Sequence, residues 1–249
     1  MTALSVNVNK LALLRNSRGR NFPDLQAFAQ RFIDLGVHGI TVHPRPDQRH
    51  VRFADVPLLA EIVRKRAGAE FNVEGFPSLD FVALMERVRP HQCTLVPDAA
   101  DQLTSDHGWD LVKHGAFLTD VVAELQRLGI RVSLFLDPLP EQVARAAGVG
   151  AERIELYTEA YAAAFTTDRR SVVLSQYQAA ANEARQLGLA VNAGHDLDLQ
   201  NLPLFLGIGG VREVSIGHAL TIECIEYGMQ TVIARYLAIC RDGASVPVR

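Results

Sequence analysis

The sequence predicts an α/β fold, a (β/α)8 TIM barrel built as one domain over residues 1–249. Three observations carry this. Eight short β-rich apolar runs recur along the chain, segments of helical period lie between most of them, and Leu-Gly steps close helices just ahead of strands. Eight strand–helix units in 249 residues match the size and order of a barrel, whereas a doubly wound sheet of this length has fewer strands. No Pro/Gly/Ser linker, low-complexity tract or charge block divides the chain.

The first strand is read at 4–8 (LSVNV) and the first helix at 24–35, where Asp24 follows Pro23 and Leu25, Phe28, Phe32 and Ile33 repeat at i, i+3, i+4. A strand at 38–43 precedes a helix at 55–66. A third strand at 70–75 precedes a helix at 78–88 that Ser78 opens. The fourth strand, 93–97, is followed by a long gap and a helix at 118–128 opened by Thr119-Asp120. Strands at 131–137 and 153–157 flank a helix at 140–147, and a second long gap precedes a helix at 171–187. Strands at 189–194 and 212–217, then one helix at 221–240, complete the set; Gly209-Gly210 make the turn into the last strand. Leu35-Gly36, Leu128-Gly129 and Leu187-Gly188 have the pattern of left-handed glycine caps. The long gaps, 97–117 and 157–170, both follow strand C-termini, the face where barrels carry their active sites.

Charge limits the function classes. There are 25 Lys+Arg against 28 Asp+Glu, a formal charge of −3, so nothing suggests a nucleic-acid or anionic-membrane partner. No run of 18 or more apolar residues exists and the N-terminus lacks signal-peptide order, which predicts a cytoplasmic location. Cys93, Cys224 and Cys240 are odd in number and widely spaced, so they read as small hydrophobes rather than a disulfide framework or zinc site. No P-loop or GxGxxG motif follows a strand, so no nucleotide cofactor is indicated.

Polar residues gather where the strands end. Asn7 and Asn9 end strand one, His43 and Arg45 end strand two with His50 just after, and Glu74 ends strand three. Glu155 lies in strand six, His195 ends strand seven, and Gly217-His218 end strand eight. A barrel brings such positions to one pocket. His43, His195 and His218 reach it from three strands, whereas His91, His107 and His114 read as structural or exposed. Glu74, between Val73 and Gly75, needs a partner or a chemical role, and general acid/base work suits a carboxyl with raised pKa beside histidines. Glu155 reads as a supporting carboxylate. Arg18, Arg45 and Arg49 offer planar forks for phosphate or carboxylate, and Gly194 and Gly217 stand where barrels bind phosphate through loop amides. Two other chemistries use the same residues. A metal could sit among His43, Glu74, His195 and His218, although no HxH or HxxxH spacing pre-organises it, and no metal is expected. A Schiff-base enzyme needs a strand-end lysine, and of three lysines only Lys10 is so placed.

These residues fall in motifs that run in order along the chain: N-x-N-K-x-x-x-x-R-N-x-R-G at 7–19, G-I-T-V-H-x-R-x-D-x-R-H at 39–50, N-x-E at 72–74, L-V-P at 95–97, V-S-L-F at 132–135, V-N-A-G-H at 191–195 and I-G-H-A at 216–219. The chain thereby resembles the pyridoxine 5′-phosphate synthase family of pyridoxal phosphate biosynthesis. The resemblance implies a barrel assembled as a homo-octamer that needs no cofactor or metal. It would condense 1-deoxy-D-xylulose 5-phosphate with 3-amino-2-oxopropyl phosphate and release phosphate and water. It implies acid/base roles for His43 and Glu74 and a proton-donor role for His195. Arg45, His50 and Thr104 would contact the sugar phosphate, while Asn7, Arg18, Asp196, Gly217 and His218 would contact the amino-ketone phosphate. The segment 97–117, with Thr104 and Trp109, is the expected lid.

The chain departs from the family pattern at three of these places. Asn9-Lys10 replaces the usual Asp-His beside the sugar substrate, and Asp196 replaces a glycine beside a phosphate site, where a carboxylate repels the ligand unless it turns away. Leu220-Thr221-Ile222-Glu223 also replaces the usual small continuation. Two readings follow: an active synthase, in which Lys10 contacts phosphate or joins imine chemistry, or a divergent paralogue acting on or sensing another phosphorylated keto compound.

Overall fold

A computed structural model describes residues 1–98 and 105–243; Thr104 lies outside them. Eight parallel strands close into a barrel: β1 (Ala3–Asn7), β2 (Gly39–Val42), β3 (Glu70–Gly75), β4 (Gln92–Leu95), β5 (Arg131–Leu136), β6 (Arg153–Tyr157), β7 (Ala190–Gly194) and β8 (Val211–Ile216). Each pairs with the next, and β8 returns to β1 with Val214 opposite Leu4. Around them run α1 (Asn9–Asn16), α2 (Leu25–Asp34), α3 (Asp55–Arg64), α4 (Leu79–Val88), α5 (Leu111–Arg127), α6 (Pro140–Val149), α7 (Glu159–Ala164), α8 (Arg170–Gln186), α9 (Leu202–Leu206), α10 (His218–Tyr227) and α11 (Met229–Asp242).

The helix starts follow local chemistry. Asp24 accepts from the amides of Gln26 and Ala27 at 3.0 and 3.2 Å, and Ser78 from that of Phe81 at 3.2 Å, as their positions predict. The fourth expected helix starts earlier than its sequence signal. Asp110, not Thr119-Asp120, caps α5 by accepting from Val112 and Lys113, and the Thr119 hydroxyl turns back onto the Gly115 carbonyl at 2.9 Å. The single helix expected at 221–240 is two, because Gly228 takes φ +84° between α10 and α11. Asn9 and Lys10 likewise belong to α1 rather than to the end of the first strand. The gaps after β6 and β7 hold the short helices α7 and α9.

Along each strand the side chains alternate across the barrel wall. Leu4, Val6, Ile40, Val42, Phe71, Val73, Leu134, Ile154 and Val214 face the helices and are at most 1% exposed. The alternate positions fill the barrel with polar groups joined across it. Ser5 meets Thr41 at 2.7 Å, Asn72 donates to Thr41 at 3.4 Å, and Thr94 donates to Asn72 at 3.1 Å and to Glu155 at 3.3 Å. Lower down, Asn192 and Gln92 link at 3.3 Å, and Arg153 bridges Asn192 and Glu213 at 3.1 Å each. Barrel interiors usually hold layers of branched apolar residues. Here the apolar core is the ring between strands and helices, and the hydrogen bonds offset the desolvation of the inner polar column.

Trp109, in the expected lid segment, is packed into the barrel wall. It is 3% exposed, and its indole N–H donates to the Leu95 carbonyl at 2.9 Å. Residues from Leu111 onward in the expected lid segment are the first turns of α5.

Candidate active site

The polar column opens at the C-terminal ends of the strands. The short β1–α1 connection places two asparagines there. The Asn7 carboxamide oxygen accepts from the Asn9 amide at 3.0 Å, and its Nδ2 lies 3.5 Å from Glu74 Oε2. The Asn9 side chain is turned to the frame of the site and accepts from the backbone N–H of His43 at 3.0 Å. His43 Nδ1 stands 3.9 Å from Glu74 Oε2.

This separation has the form of a salt bridge, yet burial argues against charge on either partner. Burial pushes the His43 imidazole well below its usual range, reinforced by His50, Arg45 and Arg49 against an opposing Asp47. Burial pushes the Glu74 carboxyl well above its usual range, and the charges of Glu155, Asp98 and Glu213 add to it. Burial thus favours the uncharged form of both members of the pair, within contact distance at the strand ends. Below it, Glu155 is 4% exposed and pushed up to about 8, by burial first and then by Glu213. Gly194 permits this, since a Cβ there would lie 2.4 Å from Glu155 Oε1. Gly194 thus makes room for a carboxyl, and its carbonyl accepts from Thr158; it is not an open phosphate cradle.

His50 joins the cluster, its ring 6.1 Å from that of His43. His50 Nδ1 accepts from the Val51 amide at 2.9 Å, and burial lowers its pKa to about 4. Its loop is gripped from α1. Asn16 donates to the His50 carbonyl at 2.7 Å and to that of Arg49 at 3.0 Å, and Arg15 forks onto Asp55 with both contacts at 2.8 Å.

Arg45 is buried, and its Nη1 donates to Asp98 Oδ2 at 2.7 Å, the same oxygen that accepts from Ser105 at 2.7 Å. It links Asp98, which also accepts from Ser105, to the chain just after β2. Arg49 pairs with Asp47 at 2.6 Å near the surface, and Arg18 lies exposed beyond the end of α1.

On the opposite wall, the His195 ring packs edge-on against Tyr157 with centroids 5.0 Å apart, and its Nδ1 meets Asp196 Oδ2 at 3.1 Å. The Asp196 carboxylate is held below its usual range, first by that hydrogen bond and then by the positive fields of His195, His218 and Lys10. Gly217 precedes α10 and packs on Asn7, where an added Cβ would come within 3.1 Å of Asn7 Cβ; His218 opens the helix. The structure thus brings Asn7, Asn9, Lys10, His43, His50 and Glu74 to the ends of the first three strands, with Gly217-His218 beside Asn7 and His195-Asp196 at the end of β7. Asp98, Ser105, Tyr157, Thr158 and the Arg15–Asp55 fork were missed by sequence reasoning. Asp98 and Tyr157 do follow or end strands, the same signal that marked the others.

Among the described residues no group of three or more His, Cys, Asp and Glu side chains is arranged to hold a metal ion. Cys93 and Cys240 are buried and Cys224 half-buried. No helix among the described residues is long and apolar enough to cross a membrane. A cavity of about 530 Å³ lies at the opposite, N-terminal face beside Arg185, Arg212 and Cys240. Converging titratable side chains, rather than cavity size, mark the site.

Comparison with solved structures supports the architecture alone. Tryptophan synthase of Mycobacterium tuberculosis superposes with a TM-score of 0.62 at 13% identity, over 96% of this chain and 93% of that one. A structure described as native KDPGal gives 0.60 at 15% identity, over 98% and 96%. Sequence comparison reaches further. The pyridoxine 5′-phosphate synthase of Agrobacterium fabrum is 50% identical over 242 residues, 95% of this chain and 96% of that protein. That of Xanthomonas campestris pv. campestris strain B100 is 48% identical over 252 residues, 98% of each. Residues 4–242 match the family described as pyridoxal phosphate biosynthesis protein PdxJ. With the motifs, the closed barrel and relatives of near-equal length in agreement, the chain belongs to that family.

Proposed function

We propose that this chain is an enzyme that makes pyridoxine 5′-phosphate from 1-deoxy-D-xylulose 5-phosphate and 3-amino-2-oxopropyl phosphate, releasing phosphate and water. The observation that carries the reading is the His43–Glu74 pair, 3.9 Å apart and largely buried at the strand ends of a chain with this family membership. Joining an amine to a ketone as an imine, expelling phosphate, hydrating and aromatising the ring each move protons between different atoms. A base and an acid already in place serve such a sequence. Neutral His43 accepts a proton from substrate, protonated Glu74 gives one to a departing or carbonyl oxygen, and His195 gives one from the opposite wall.

Two phosphorylated substrates need two anion sites. His50 and Arg45, with Thr104, are assigned to the sugar phosphate. Asn7, Arg18, Asp196 through its backbone, and Gly217-His218 at the start of α10 are assigned to the amino-ketone phosphate. Asn9 acts by fixing the His43 backbone, and Lys10 supplies positive charge between the two sides. We read residues 1–249 as one domain, located in the cytoplasm and assembled as a homo-octamer through apolar helix faces such as Leu13-Leu14 and Ile222-Ile225, which are 44, 54, 43 and 73% exposed. Identity near 50% over almost the full chain favours the synthase over a paralogue of different substrate. The test is to mix metal-free protein with both substrates and follow product by mass spectrometry together with phosphate release. Product accompanied by phosphate is expected; folded protein that forms neither overturns the reading.

A further inference from the structure

Strand β7 ends at Gly194, and the chain then turns through two left-handed residues, His195 at φ +88° and Asp196 at φ +56°. They are two of four non-glycine residues with positive φ among those described, and such backbone is uncommon outside glycine. Neighbouring side chains on an extended strand point to opposite faces. The left-handed turn instead folds the Asp196 carboxylate back onto its neighbour's ring, with Oδ2 at 3.1 Å from Nδ1.

The turn is held from outside as well. The Thr158 hydroxyl donates to the His195 carbonyl, and Asn201 Nδ2 donates to the Asp196 carbonyl at 3.0 Å. Tyr157 sets the ring plane, meeting it at 82°. Lys10 adds its positive charge to what holds the Asp196 carboxylate ionised. The carboxylate is thus directed onto the His195 ring, and of the two departures from the family pattern Lys10 acts on the charge of Asp196.

We propose that Asp196 is a positioning residue for His195: its carboxylate holds the hydrogen on Nδ1, so that the imidazolium gives its Nε2 proton to substrate and is left as the Nδ1–H tautomer. An ionised carboxylate only accepts hydrogen bonds, so the nitrogen facing it carries the hydrogen and the other carries the reactive lone pair or proton. Asp196 is 43% exposed at its side chain, which screens its charge and leaves orientation as its main contribution. The inference rests on the synthase reading for the step it serves, but the tautomer itself is measured without turnover.

The experiment compares wild type, Asp196→Asn and Asp196→Gly, both replacements tolerating positive φ. Ring-¹⁵N histidine spectra, assigned with His195→Asn, read the tautomer at a pH where imidazole is neutral, and steady-state kinetics separate kcat from KM. The wild type is expected as the Nδ1–H tautomer. Asp196→Asn keeps an acceptor oxygen and should retain that tautomer with kcat within about threefold of wild type. Asp196→Gly should give a tautomer mixture and lower kcat by about tenfold or more, with KM for both substrates within about twofold. An Nε2–H tautomer in wild type, an unchanged kcat in Asp196→Gly, or an effect confined to KM would each overturn the proposal. A tautomer shift in protein that makes no product would support the positioning and count against the synthase reading alone.

Discussion

Adding one methyl group at Gly194 should disorganise the centre of the barrel. A Cβ there lies 2.4 Å from Glu155 Oε1, 3.4 Å from its Cδ and 3.4 Å from the Ser215 carbonyl oxygen. The first contact cannot persist, so the Glu155 carboxyl must swing and give up the Thr94 hydroxyl that donates to it at 3.3 Å. Overpacking a tight interior costs about 1–3 kcal/mol and a buried hydrogen bond about 1 kcal/mol, together about 2–4 kcal/mol. At about 2–4 °C per kcal/mol for a chain of this size, Tm should fall by about 4–16 °C. Calorimetry on wild type, Gly194→Ala, Glu155→Ala and the double variant isolates the contact. Once Glu155 is truncated the methyl has room, so Gly194→Ala should cost less than about 1 kcal/mol in that background and leave a coupling of about 2 kcal/mol. An equal loss in both backgrounds, or a Gly194→Ala protein melting within about 1 °C of wild type, would refute the reasoning.

The raised pKa of Glu155, about 8 in the folded protein, makes a signed prediction about pH. The folded state keeps a proton that the unfolded chain releases near 4.5, so stability is intact below about pH 4.5, falls as pH rises toward 8 and stays low above it. Glu155→Gln removes that titration, so its Tm should gain on wild type from pH 5 to pH 9, with a limiting slope of about 1.4 kcal/mol per pH unit; a constant difference would count against it. Arg15→Met should destabilise by about 3–5 kcal/mol in denaturant titrations, because Arg15 is 4% exposed and its loss strips Asp55 of a buried fork. The same change removes one of the two donors to the His50 carbonyl and leaves that of Asn16, so KM for the sugar phosphate should rise more than kcat falls; a loss under about 0.5 kcal/mol would show that the fork does not brace the loop.

Much of this was legible before any coordinates. Asp24 and Ser78 announce their helices because an N-cap is a local event, and strand-end residues converge because a barrel leaves them nowhere else to go. The polar interior was harder. Runs such as LSVNV and EFNVEG alternate with period two, and that pattern is the same whether the polar side meets water or the inside of a barrel. Helix α1 escaped notice because Val8 at its start offers no side-chain cap and Leu13 and Leu14 lie exposed. Asp110 escaped because the apolar period of α5 is clearer in its second half. The His195–Asp196 contact depends on positive φ at both residues, and adjacent residues in sequence give no hint that they face each other. Arg45, read as a fork for phosphate, also meets Asp98, a partner 53 residues away that no local pattern announces.

The proposed transfer of protons by the His43–Glu74 pair is tested most directly by Glu74→Gln, which keeps the shape of the side chain and removes its acidic proton. Single-turnover product formation should fall by at least about 10²-fold, while calorimetric affinities for each phosphorylated substrate stay within about threefold of wild type. A Glu74→Gln protein that forms product at the wild-type rate would contradict the assignment of acid/base chemistry to this pair.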